Sequence, residues 1–363
     1  MKTRTICLIL GWMMIVCGCS SNYKMTTLVH SDGTIDREVY AWGDSAFIAG
    51  NRATNPFLFS LKEWKVVPLD STLVYSFWGE EVKLNVKASR SVKADGDLSF
   101  FSADKKNNHP LVVPKERLEK TFKWFYTYYT FTCKYSEIVD KGPVPIDKYL
   151  DENQQRLFFQ GDMTNYRGMN GIELNETLSN LEDRFMDWYN ESNYELCFNV
   201  ISDVYAKVGD TIYLSRLTEA KEKVRSLGTE SQKKDKEYTP SKICLLLDLY
   251  FKTDHFSTFY KHHQRPVDRL LDKRAEIVNY FVARIRYELS MPGTLISTNA
   301  AQKEGTTLIW KVDAYRVLTH DYTLKAVSRE INSWAFVVTG LLILLSAYGF
   351  YRFKKASSSR ARK

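Results

Sequence analysis

The chain has 363 residues, 44% of them hydrophobic and 14% aromatic, with 51 Lys and Arg against 43 Asp and Glu for a formal net charge of +8. Two of the basic residues, Lys2 and Arg4, precede an apolar run at the start, and six (Arg352, Lys354, Lys355, Arg360, Arg362 and Lys363) follow one at the end. The remaining 43 balance the 43 acidic residues, so the body is neutral and lacks the concentrated basic face that a nucleic-acid partner requires.

At the amino end, Lys2 and Arg4 lead into the apolar run Ile6 to Val16 and then Gly18-Cys19. A basic segment, roughly a dozen apolar residues and a small residue form a secretory signal pattern, too short to span a hydrocarbon core that takes about 20 residues. Val16-Cys17-Gly18-Cys19 resembles the lipobox of bacterial lipoproteins, with Cys17 an unusual occupant of its slot. The resemblance implies that residues 1–18 are a signal peptide and that Cys19 is the lipid attachment site, acylated in the manner of palmitate.

The body reads as strands, then helices, then strands. MTTLVHSDGTIDREVYAW carries two β segments around Asp32-Gly33, a hairpin signal. Trp64 to Val92 continues in that style, with Leu84, Val86 and Ala88 alternating with Lys83, Asn85 and Lys87. FKWFYTYYTFTCKY, Phe122 to Tyr135, is aromatic and β-branched, which predicts one long strand covered on both faces. After Gly142-Pro143 the period changes: Leu178, Leu181, Phe185, Trp188 and Tyr189 recur at three and four, predicting a helix over Glu176 to Lys207. The polar run Thr229 to Pro240 reads as a loop. Ser241 is expected to cap a second helix bearing Ile243, Leu246, Leu247, Tyr250 and Phe251, broken at Arg265-Pro266, with a third from Pro266 to Ile277. Alternation of Phe281, Ala283, Ile285, Tyr287 and Leu289 predicts a strand over Asn279 to Leu289. Turns at Pro292-Gly293 and Gly305 introduce TLIWKVDAYRV and YTLKAVSRE, a closing β group.

Trp334 to Tyr351 is 18 residues without a charge, the length at which a spanning helix becomes the default. Trp334 at one end, and Tyr348, Tyr351, Arg352, Lys354 and Lys355 at the other, are the residues expected at the membrane interfaces. The basic tail falls on the cytoplasmic side by the positive-inside rule, which leaves the body outside the cytoplasm. A compact body of about 310 residues has a radius of gyration of ~20 Å, and the joints to the two ends are short, so both anchors are expected in one cytoplasmic membrane.

The expected fold class is α+β. A β-rich platform is built from 19–141 and 278–329, with a mainly helical insert over 142–277, a transmembrane helix over 334–351 and a basic tail over 352–363. The two β parts pair across the insert in one composite domain. Cys133, Cys197 and Cys244 are the remaining thiols and allow at most one disulfide. No CxxC supports a zinc site, and neither GxSxG, GxGxxG nor GxxxxGK is present, so no cofactor is implied.

Asp254, His255, His262 and His263 form the one histidine cluster, His255 and His262 sharing a face if the helix holds, but their spacing matches no metal-ligand signature. They read as a surface cluster, as do His30 near Asp32 and His320 near Asp321. Gly161 to Gly171 reads as a loop ahead of a helix, and the aromatic stretch as core more than as a stacking platform. The lipobox, HSDGTIDREVY, WFYTYYTF, and MPGTLISTNA with TLIWKVDAYRV before a terminal helix resemble uncharacterised envelope lipoproteins of Bacteroides-type bacteria. The Pro-Gly-Thr, Asn and Trp elements from Pro292 to Trp310 resemble the carboxyl part of LppM-type lipoprotein domains. Neither resemblance brings an activity or catalytic residues. The expectation is a non-enzymatic envelope lipoprotein of the cell membrane, presenting a periplasmic domain to a protein partner or for structural work. The alternative is a membrane-anchored extracytoplasmic hydrolase with an Asp/His site that spacing does not reveal.

Overall fold

The computed structural model of the protein describes residues 21–93, 96–102, 109–139, 141–208, 211–231 and 238–360. The signal segment and Cys19 lie outside the described residues. The protein is of the α+β class and its contacts divide it into two compact units. A β unit comprises Ser21–Tyr135, Arg284–Val312 and the chain from Thr323, and an α unit comprises Ser136–Ala283 with Asp313–Tyr322.

In the β unit, β1 (Ser21–Val29) and β2 (Thr34–Ala41) form the expected hairpin. The Asp32 carboxylate accepts from the Thr34 amide (2.8 Å) and hydroxyl (2.9 Å), and Gly33 supplies the left-handed φ of 91° that the turn needs. Along the chain follow β3 (Lys65–Phe77), β4 (Glu80–Lys93), β5 (Gly96–Leu98), β6 (Lys115–Lys123) and β7 (Tyr126–Tyr135). After the α unit come β8 (Ala283–Ser290), β9 (Thr294–Thr298), β10 (Gln302–Glu304), β11 (Thr307–Asp313) and β12 (Tyr322–Ile331). They make a seven-stranded sheet in the order β10-β11-β8-β1-β2-β4-β3 and a five-stranded sheet in the order β5-β6-β7-β12-β9. Pro68 sits in β3, the edge strand, where its missing N–H breaks no ladder, and the pairing with β4 slips just after it. Gly293, at φ 70°, lets the β8–β9 turn pass so close to β12 that a Cβ there would collide with the Arg329 carbonyl oxygen.

Period-2 alternation builds the core of this unit. Tyr23, Met25, Thr27 and Val29 of β1, Ile35, Arg37 and Val39 of β2, and Leu84, Val86 and Ala88 of β4 are buried, and so are Tyr129, Phe131, Cys133 and Tyr135 of β7. Arg37 is the exception in kind, a guanidinium with 0% of its side chain exposed. It donates through Nη1 to Glu116 (2.6 Å), through Nη2 to the Tyr287 hydroxyl (2.8 Å) and through Nε to Thr27 (3.1 Å). Thr27 donates to Tyr287 (3.2 Å) and Tyr287 to Glu116 (3.3 Å), which closes the network, and Phe100 covers the guanidinium at 4.1 Å. Burial by itself would discharge Arg37, but Glu116 and Tyr287 outweigh it and hold the group more firmly protonated than usual. Burial likewise pushes the Cys133 thiol and the Tyr287 hydroxyl up.

The segment Phe122 to Tyr135 is not one strand covered on both faces. It turns at Trp124-Phe125, so Lys123 ends β6 and Tyr126 starts β7, and Phe122 and Trp124 are exposed.

In the α unit, α1 (Gly171–Val208), α2 (Thr211–Ser231), α3 (Pro240–Phe251) and α4 (His255–Arg274) share a core around Tyr194, Phe198, Val224, Leu247 and Phe256. Helix α2 covers residues that the polar composition assigns partly to a loop. Its stripe of Leu217, Ala220 and Val224 is buried. The cap of α3 is Thr239, whose hydroxyl accepts from Lys242 N (3.3 Å), with Pro240 at the first helical position rather than Ser241 at the cap. Helix α4 does not stop at Pro266. The disturbance falls at His263 (φ −118°), one turn earlier, where the proline ring crowds the preceding carbonyls. The strand expected from Asn279 begins at Ala283, because Glu276–Val282 is a 3-10 helix that packs Phe281 on Tyr315 at 4.6 Å. Asp313–Tyr322 joins this unit through Ile138 N to Val317 O (2.8 Å) and Gln160, which donates to the carbonyls of Arg316, His320 and Asp321. Cys133, Cys197 and Cys244 are free and buried.

Replacing Arg37 by Ala strands Glu116 in the core and is expected to cost about 3–5 kcal/mol. Arg37→Met with Glu116→Leu is expected to recover most of that loss, since Thr27 and Tyr287 retain each other. Urea unfolding of the detergent-solubilised protein checks it, and a double variant as unstable as the single one would contradict the account.

Candidate functional site

Helix α5 (Ser333–Arg360) continues the β unit from β12, and Ser333–Phe353 within it is long and apolar enough to cross a membrane. Its 21 residues rise roughly 30 Å, the thickness of a hydrocarbon core. Only 6% of its apolar window is buried, and Leu341 to Leu345 are each 54–67% exposed, so it is not a core helix of this domain. Trp334 (52% exposed) lies near its start, while Tyr348, Tyr351 and Arg352 are exposed toward its other end. Lys354 and Lys355 continue the helix, their side chains lying outside the described residues.

The helix is joined to the sheet by Asn332. Its amide donates to Phe125 O (2.9 Å), its side chain donates to Trp124 O (2.9 Å) and accepts from Thr127 (2.9 Å), and its carbonyl accepts from Ala335 N (2.9 Å). The β6–β7 turn is thereby pinned to the first helical turn. Aromatic rings fill the joint: Phe122 stacks on Trp334 (6.0 Å, 3°), Trp124 meets Trp334 edge-on (5.4 Å), and Phe125 packs on Phe336 (4.6 Å).

The histidines do not converge. His255 pairs with the Tyr205 hydroxyl (3.0 Å), His263 stacks on Phe259 (4.6 Å) and meets its carbonyl oxygen (3.1 Å), and His262 is exposed. His255 and His262 both lie in the regular part of α4 ahead of the irregular backbone at His263, as the helical spacing predicts, and Asp254 makes no side-chain cap. The partner of His30 is Asp36 (2.7 Å), not Asp32, which is committed to its own turn. His320 meets Thr319 (2.9 Å), while Asp321 accepts from Glu137 N (3.0 Å). Burial first, then Arg156, lowers the pKa of His320. Among the described residues no group of three or more His, Cys, Asp or Glu could hold a metal ion. The glycine-rich stretch is a cap: Asn170 accepts from Ile172 N (2.9 Å) and Glu173 N (3.0 Å), and Glu173 accepts from Asn170 N (3.0 Å).

Two polar clusters were invisible in the sequence. On the outer face of the seven-stranded sheet a shallow concavity of about 730 Å³ is lined by residues including Asp36, Glu38, Lys65, Ser91, Glu288 and Thr307. Its carboxylates are engaged: Asp36 by His30 and Ser91, Glu38 by Tyr40 (2.5 Å) and Lys87 (2.8 Å), and Glu288 by Tyr75, Arg286 (2.8 Å) and Lys24 (3.4 Å). Burial would raise Glu288, but these partners keep it below the usual carboxylate range, the wrong direction for a general acid at neutral pH. In the α unit, buried Glu191 accepts from Lys148 (2.8 Å), Arg225 (2.8 Å) and Tyr149. Burial opposes its charge, yet the hydrogen bonds from Lys148 and Tyr149 and the Arg225 charge lower its pKa to about 2. Tyr149 is pushed up to about 12 by burial and by Glu191. The signal that could have found Glu191 is a charged residue in the apolar phase of a helix, three residues from Trp188 and from Tyr194, whereas Asp36, Glu38 and Glu288 stand in the polar phase of their strands and carry no such signal.

No family model and no curated protein matches the chain. A solved structure similar to it is the NMR structure of the folded domain of Mycobacterium tuberculosis LppM, 8% identical, covering 87% of this chain and 92% of that one with a TM-score of 0.24. That resemblance is weak. The class that the structure defines is an α+β protein with a helix fit to cross a membrane.

The Glu191 cluster has a pH signature. Its folded pKa of about 2 lies below the ordinary 4.5, so its stabilisation is complete above 4.5 and is lost as pH falls through 2. Glu191→Gln is expected to lower stability at neutral pH and to flatten the acid limb of the stability curve. An unchanged acid limb would contradict the assignment.

Proposed function

We propose that the protein is a non-enzymatic bacterial cell-envelope lipoprotein, related to the Bacteroides-type group, that is held in the cytoplasmic membrane and presents its body outside the cytoplasm for contact with an envelope protein or for structural work. The observation that carries this reading is the exposed Ser333–Phe353 helix. An apolar helix so little buried is stable in lipid and a liability in water. The seven side chains Val337, Val338, Leu341, Leu342, Ile343, Leu344 and Leu345 together favour insertion by roughly 2–4 kcal/mol at about 0.3–0.6 each. The basic residues from Arg352 support a cytoplasmic tail, and Cys19 after Gly18 supports a lipid at the other end. The engagement of His255 with Tyr205, of His320 with Thr319 and of Glu288 with Tyr75 and Arg286 supports a presenting domain over an acid–base catalyst.

Protease added to spheroplasts is expected to digest the body and to spare a small carboxyl fragment. A protected body would reverse the topology. Cys19→Ala is expected to abolish incorporation of a radioactive fatty acid, and persistent label would refute lipid attachment there. Crosslinking in intact membranes is expected to return one stoichiometric protein partner.

A further inference from the structure

The tip of the β6–β7 hairpin is built in a way that core packing does not explain. Phe122 (53% exposed) and Trp124 (42% exposed) present large apolar faces to the outside, Phe122 standing in the phase of buried Glu116 and Leu118 but beyond the stretch of β6 that is covered. Trp124 occupies a left-handed backbone conformation (φ 27°) that suits Gly or Asn, and a bulky side chain is strained there unless its surroundings hold it. What holds it is α5: the indole Nε1 donates to the Thr339 hydroxyl (2.9 Å) and the ring meets Trp334 (5.4 Å). Thr339 lies six residues into the helix, roughly 9 Å along its axis. The tip therefore runs alongside the first turns of the apolar span instead of stopping above it. Lys123 and Arg329 are exposed beside it, at 5.0 Å from the Tyr128 ring and 4.6 Å from the Tyr126 ring. Aromatic rings at the tip with cations behind them is the layering that a headgroup region favours.

We propose that the hairpin tip, Phe122 to Phe125, is seated in the outer leaflet of the same membrane that α5 crosses, so that the β unit grips lipid at a second point beside its helix. The inference rests on reading Ser333–Phe353 as a span. A depth that places Val337 and Leu341 in hydrocarbon carries Trp124 to the interface with them, because the hydrogen bonds of Asn332 and Thr339 tie the tip to the first turns of the helix. A helix alone leaves a domain free to rotate and tilt. A second immersed point removes that freedom and gives the β unit a fixed presentation toward whatever it contacts.

The test uses the full chain reconstituted in vesicles of phosphatidylethanolamine and phosphatidylglycerol, with p-benzoylphenylalanine in place of Phe122, Leu341 or Lys115 in three separate proteins. Lys115 begins β6, roughly 24 Å along the strand from Phe122. After irradiation, mass spectrometry is expected to find lipid adducts at positions 122 and 341 and at least tenfold less at 115. Adducts at 341 without adducts at 122 would overturn the seated hairpin and leave the span intact. Adducts at neither would overturn the span and the hairpin together. Equal adducts at 115 and 122 would mean that the β unit lies along the bilayer, which also contradicts a seat confined to the tip.

Discussion

An α-helix whose apolar circumference is almost wholly uncovered sets the terms for the rest of this molecule. Ser333–Phe353 satisfies its backbone within itself and offers lipid a surface that water would penalise. Its attachment is rigid: Asn332 bonds to both residues of the β6–β7 turn and to Thr127, so no flexible linker separates the helix from the five-stranded sheet. The orientation of β7, and of the strands hydrogen-bonded to it, is thereby coupled to the orientation of the helix.

The β unit is suited to transmit that coupling because its interior is specified by a charge. Arg37 and Glu116 come from different sheets and must meet with Tyr287 and Thr27 in one geometry. A strand slipped by one residue would turn Arg37 to the outside and leave Glu116 alone in the core, an error far costlier than the misplacement of a valine. Such a network adds little net stability over apolar replacements, so register is the role that accounts for it here. The α unit repeats the arrangement around Glu191 of α1, whose carboxylate is held by two cations, Lys148 and Arg225 of α2, and by Tyr149.

Local patterns were legible in the sequence and distant pairings were not. Asp32-Gly33 marked its hairpin because the turn chemistry is contained in those residues, and the alternation at Leu84, Val86 and Ala88 marked a half-buried strand. The charge-free run from Trp334 marked the helix. Arg37 stood in the apolar phase of Ile35 and Val39, a visible anomaly, but its partner lies 79 residues away and nothing local pointed to it. The turn at Trp124-Phe125 carries neither Gly nor Asn, since contacts with α5 hold it and its own backbone preference does not, and the run of aromatics therefore read as one strand. Helix α4 passed Pro266 because the strain could be moved to His263, whose ring rests on Phe259. The histidines of the 254–263 segment, read from the sequence as one surface cluster, have separate partners, His255 on Tyr205 and His263 on Phe259, and His30 pairs with Asp36 across the hairpin where proximity in sequence suggested Asp32.

The central claim is that the helix, independently of any lipid on Cys19, fixes the protein in a bilayer. It is tested most directly by alkaline carbonate extraction of membranes carrying the Cys19→Ala variant. The account predicts that the variant stays in the membrane pellet and that truncation after Ile331 releases the body to the supernatant. Release of the untruncated Cys19→Ala protein by the same wash would contradict it.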